Sequence, residues 1–143
     1  MDIGVVGSRK CAPHWEDRLR ATLDWCKELW PDFVLVSGHC PGGGPDMWAE
    51  KWADDNKQAK KIFPIPAGAS ADFRKRAMAR NTEIVRASRI VIALWDWDSG
   101  GTANSVAKAV YLNRDLILVA NDSDFGVIFD RLQKLAIKHE PCF

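Results

Sequence analysis

Five short apolar runs punctuate this 143-residue chain: Ile3-Gly4-Val5-Val6, Phe33-Val34-Leu35-Val36, residues 62–65, residues 90–94 and Leu116-Ile117-Leu118-Val119. Each is apolar at successive rather than alternate positions, as strands covered on both faces are, and helix-like periodicity separates them, as parallel crossovers require. The pattern predicts an α/β fold, a Rossmann-like three-layer sandwich around a five-stranded, mainly parallel sheet. A chain of this length buries roughly two-thirds of its unfolded surface in one core, so residues 1–143 read as a single domain.

The first helix is expected from Trp15 to Trp30, because Trp15, Leu19, Leu23, Cys26 and Trp30 share one face and Pro31-Asp32 ends the run. A second runs from Pro45 or Asp46 to about Asn56 and buries Trp48, Ala49 and Trp52. A third follows Asp72 with Phe73, Ala77, Met78, Ile84 and Val85 on its apolar arc, and a fourth follows Thr102. The last covers residues 125–137 with Val127, Ile128, Leu132, Leu135 and Ala136 inward. Pro64 and Pro66 fall in the third strand run and remove two ladder donors, which places that strand at the sheet margin. The order 3-2-1-4-5 satisfies this, and it makes strands 1 and 4 neighbours at the switch point where ligands bind beyond strand C-termini.

Three glycine-bearing loops then converge on one edge: Gly7-Ser8-Arg9, the stretch Ser37-Gly38 through Gly43-Gly44 to Asp46, and Trp95-Asp96-Trp97-Asp98-Ser99-Gly100-Gly101-Thr102. Glycines let the backbone approach a ligand, and the first amides of a following helix favour an anion. Ser99 and Thr102 can cap that helix or donate hydroxyls, Trp97 can stack on a base, and Trp95 ends the buried strand. On the third helix Asn81 falls near the middle of the apolar arc with Arg80 at its border. Polar groups so placed need partners, either neighbouring loop backbone or the phosphate and ribose of a ligand.

These residues, in this order and spacing over roughly residues 3 to 120, resemble the SLOG superfamily. That superfamily gathers the Smf/DprA domain, the Lonely Guy phosphoribohydrolases and small Rossmann-like sensor domains, and the nearest branch is a small bacterial and phage group with G-S-R, R-N and S-x-G-T. The resemblance implies a nucleotide or ADP-ribose/NAD-derived ligand, often bound by a homodimer. In the Lonely Guy branch the motif P-G-G-x-G-T-x-x-E supplies a Glu; here the residue three past Thr102 is Ser105. Arg80 matches the Arg of that branch's M-x-x-R-K element approximately, with Met78 two residues ahead and Asn81 in place of Lys. The departure favours sensing or sequestering over catalysis. The alternatives are an N-glycosidic hydrolase or transferase using Asp96 or Asp98, and a nucleic-acid-binding Smf-like domain.

Composition narrows the classes further. Lys plus Arg number 20 against 19 Asp plus Glu, so no global field recruits nucleic acid or an anionic membrane. Cys11, Cys26, Cys40 and Cys142 are scattered, not set at metal spacing, and no signal peptide or membrane span is visible, so a cytoplasmic protein with reduced thiols is expected. His14-Trp15-Glu16 with Pro141-Cys142 lacks the second Cys of a zinc deaminase, and neither a P-loop nor G-x-G-x-x-G occurs, so no metal or resident cofactor is expected. His39 and Cys40, adjacent in sequence, read as loop lining rather than a catalytic pair. Of seven tryptophans, Trp15, Trp25, Trp30, Trp48 and Trp52 fall at helical spacing, and their bulk suggests both core and a homodimer interface.

Overall fold

The structure, a computed structural model, describes residues 1–8, 11, 14–40, 43–65, 73–95, 100–119 and 125–139. Strands and helices alternate: β1 (Asp2–Gly7), α1 (Trp15–Leu29), β2 (Val34–Ser37), α2 (Pro45–Asp55), β3 (Lys60–Ile62), α3 (Phe73–Ala87), β4 (Ile90–Leu94), α4 (Gly100–Tyr111), β5 (Asp115–Val119) and α5 (Phe125–Lys138). The five strands form one parallel sheet in the order β3-β2-β1-β4-β5. That is the order expected from the position of the prolines and the crossover pattern.

Because side chains alternate across a strand, odd and even positions of β1 face different layers. Ile3 and Val5 join Ile90, Ile92 and Leu94 under α1, α2 and α5, while Val6 joins Val91 and Ala93 under α3 and α4. All five residues of β4 are buried, which accounts for its unbroken apolar run.

Several expectations need correction. β3 is three residues long and ends at Ile62, so Pro64 stops the strand rather than sitting within it, and residues 63–65 lie beyond it. α4 begins at Gly100, not after Thr102; first-turn amides have no intrahelical partner, so glycines enter there at little cost. On α3, Ile84 and Val85 are buried but Met78 is 38% exposed, and on α5 Val127 is 67% exposed while Ile128, Leu132 and Leu135 form the inward stripe. Of the five tryptophans at helical spacing, two are buried and three remain partly exposed. Trp15 and Trp52 are buried, Trp25, Trp30 and Trp48 pack against the same core, Trp52 stacks on Phe33 and its Nε1 donates to Asp24 at 2.9 Å. Among the described residues no helix is long and apolar enough to cross a membrane.

Candidate functional site

The pairing of Gly7 with Leu94 and of Gly4 with Val36 brings the C-terminal ends of β1, β2 and β4 together as the floor of a crevice. Ser8, buried, closes the floor between β1 and β4 by donating its backbone N–H to the Leu94 carbonyl at 3.2 Å. Gly7 points towards α2, where a Cβ would stand 2.9 Å from Pro45 Cβ and 3.0 Å from the Leu94 oxygen. Its smallness therefore serves the seating of α2 on the sheet.

Alternation sends Ser37 and Gly38 to opposite layers. Ser37, fully buried, turns to α2 and its hydroxyl donates to Glu50 Oε2 at 3.3 Å. Gly38 lies under α3, and its carbonyl accepts a 2.6 Å hydrogen bond from Arg80 Nη1; a Cβ there would come within 2.8 Å of the guanidinium carbon. Arg80 Nε also donates to Asn81 Oδ1 at 3.1 Å, and Asn81 Nδ2 reaches the Gly101 carbonyl at 3.5 Å. Of the two roles expected for this pair, the geometry displays the bonding to loop backbone, and it leaves both half-buried residues at the crevice wall.

Past Gly38 the loop turns through His39 in a left-handed conformation (φ 52°), and Gly43 and Gly44 at φ 95° and 87° lead into α2. The last two need glycine for that backbone alone. Glu50, with a side chain 7% exposed, holds His39 Nδ1 at 2.8 Å. Asp46, in the first turn of α2, is half-buried. Burial pushes its carboxyl up to about 6, and nearby Glu50 adds to the rise, against the pull of Arg80, the Cys40 backbone N–H and His39.

The opposite wall is the first turn of α4. Gly100 and Gly101 are exposed, and a Cβ added at either, or at Gly43, would meet nothing within 4 Å among the described residues. Thr102 is buried, as is Ser105, whose hydroxyl donates to the Gly101 carbonyl at 3.3 Å. Arg9, Asp96, Trp97, Asp98 and Ser99 lie outside the described residues. No set of three or more His, Cys, Asp or Glu among the described residues is placed to hold a metal.

Three residues of this region went unrecognised in the sequence as members of a site. Glu50 and His39 form the hydrogen-bonded pair just described, the carboxylate buried and the ring half-exposed. Arg76, one helical turn before Arg80, has a buried Nε with no hydrogen-bond partner among the described residues. A charged residue between Ala49 and the buried Trp52-Ala53, four after Asp46, was the available signal for Glu50; the i, i+4 spacing to Arg80 was the signal for Arg76. The crevice thus combines the Arg80 guanidinium, a helix start open to an anion, and Glu50 and Asp46 behind them.

Residues 2–64 match the family described as YAcAr: YspA, cpYpsA-related SLOG family. Among solved structures, DNA processing protein A (DprA) from Streptococcus pneumoniae is similar with a TM-score of 0.67 and 20% identity, over 96% of this chain and 56% of that one. DNA processing protein A from Helicobacter pylori, described for its single-stranded DNA binding mode, gives a TM-score of 0.63 and 18% identity, over 95% of this chain and 73% of that one. This chain therefore spans little more than half of the pneumococcal protein, and the likeness is one of fold. No curated protein matches the sequence.

Proposed function

We propose that this chain, whose residues 2–64 match a SLOG family model and whose fold is shared with DNA processing protein A, binds a nucleotide or ADP-ribose-like small molecule at the C-terminal edge of the sheet, as a sensing or sequestering domain. The observation that carries this reading is the open space over Gly43, Gly100 and Gly101, facing the first amides of α4 and walled by Arg80 and Asn81. A phosphate there meets partial positive charge from the helix start and full charge from a guanidinium. Arg76, on the same helix and with a buried Nε that has no partner among the described residues, offers a second donor of the same kind. Ser105 leaves the α4 wall without the carboxylate that glycosidic-bond cleavage uses in the Lonely Guy branch, so a ligand retained intact is the expected result.

Thermal-shift measurement with AMP, NAD, ADP-ribose and cyclic nucleotides tests the reading, followed by chromatography of the recovered ligand. A rise in melting temperature with intact ligand supports it; release of free base or nicotinamide replaces it with the hydrolase. A second reading, a strand of nucleic acid in the same crevice, is favoured by the fold shared with two DNA processing proteins. Anisotropy of a labelled single-stranded oligonucleotide, with ADP-ribose as competitor, separates the two. A homodimer belongs to the same proposal, and light scattering at micromolar concentration decides it.

A further inference from the structure

His39 is built into the rim of the crevice more firmly than a loop-lining residue needs to be. Glu50 is buried and both of its oxygens are engaged, Oε1 with His39 Nδ1 at 2.8 Å and Oε2 with the Ser37 hydroxyl at 3.3 Å. The same hydroxyl oxygen accepts the His39 backbone N–H at 3.3 Å. An ionised carboxylate only accepts, so Nδ1 carries a hydrogen, and in the neutral form of the ring the lone pair is then the one on Nε2. Nε2 has no hydrogen-bond partner among the described residues, and 47% of the side chain is open to solvent. A left-handed backbone at a non-glycine residue is uncommon, and here it is what brings the ring over Glu50.

We propose that His39 is a ligand-contacting residue of the crevice, held by Glu50 and Ser37 in one tautomer, with Nε2 taking up a proton from solvent as the phosphate of a nucleotide binds. This rests on the crevice being the ligand site. One N–H bond forms, as a proton leaves a solvent donor for the Nε2 lone pair, and that N–H donates to a phosphate oxygen. Among the described residues, Glu50 of α2 holds the ring directly, and Asp46 of the same helix lies close enough to Glu50, His39 and Arg80 of α3 to feel their charges. Asp46, already raised by its burial, also loses charge on acidification, so its share of any proton uptake has to be measured separately.

Two experiments test the inference. Long-range nitrogen-15 NMR of His39 in the unliganded protein is expected to show the Nδ1–H tautomer, and Glu50→Gln to release it into averaging; an Nε2–H tautomer in the wild type overturns the proposal. Calorimetry with AMP, in buffers of different ionisation enthalpy at pH 7, counts protons. The wild type is expected to take up more than His39→Asn, a variant that tolerates the left-handed backbone, and Asp46→Asn is expected to retain the His39 share. His39→Asn should also weaken AMP binding by about three- to tenfold and flatten its pH profile between pH 6 and 8. Binding with the same proton count in wild type and His39→Asn overturns this assignment alone. Failure of AMP, ADP-ribose and inorganic phosphate to bind the wild type overturns this assignment and the proposed function together.

Discussion

At Asp46 a carboxylate is held where water would be a better solvent for it. Its folded proton affinity, about 6 against 3.8 for the free group, means the native state binds the extra proton between those values. Stability therefore falls as pH rises through that window, and the cost is fully present above about pH 6. Asp46→Asn is expected to be more stable than the wild type at pH 7.5, by on the order of 1 kcal/mol after discounting for partial exposure, and indistinguishable near pH 4. Urea melts at the two values check the sign. Gly101→Val is expected to keep the wild-type melt, since no described residue lies within 4 Å of a Cβ there, while losing most affinity for AMP in a calorimeter. Gly38→Ala, by contrast, displaces the Arg80 guanidinium from its bond to the loop and should lower stability by about 0.5–1.5 kcal/mol, the worth of that hydrogen bond, in the same melts.

At the level of elements, α3 is the instructive one. A helical wheel treats the whole segment as lying on the sheet, and so it assigned Met78 to the core along with Ile84 and Val85. Asn81 stands level with Gly101, the second residue of α4, so the turns of α3 before it project past the strand ends, where the crevice wall replaces the core. No periodicity encodes where a neighbouring element stops. The consequence is measurable: Met78→Gln should change stability by less than about 0.5 kcal/mol, whereas Ile84→Ala should cost about 2–5 kcal/mol. Strand order was legible because doubly wound topology and two prolines leave few arrangements. The partners of Glu50 were not, because its contacts with Ser37 and His39, thirteen and eleven residues earlier, follow from strand alternation at Ser37 and Gly38, and that parity is known only once β2 is placed.

For the whole molecule, a net charge of +1 sets how association should respond to salt. A mononucleotide held by one or two guanidinium contacts should lose affinity with a log–log slope of about one to two, while a strand tracked along several phosphates should show a steeper slope, about 0.7 for each phosphate neutralised. Titrations between 50 and 300 mM salt with AMP and with an oligonucleotide give the comparison, and a steep oligonucleotide slope with no AMP binding would move the conclusion to nucleic acid.

Arg80 and Asn81 are consecutive, yet one grips the loop after β2 and the other the start of α4. Side chains one residue apart on a helix diverge by about 100°, so this dipeptide works as a two-armed brace between rims belonging to different halves of the sheet. Rims joined in this way cannot breathe independently. A ligand that draws in one of them obtains the ordering of the other without a second loss of conformational entropy, and the amides of Gly38 and Gly101 should share a single exchange rate in relaxation-dispersion spectra. Cutting one arm with Asn81→Ala should split that rate in two, leaving an enclosure that closes in stages.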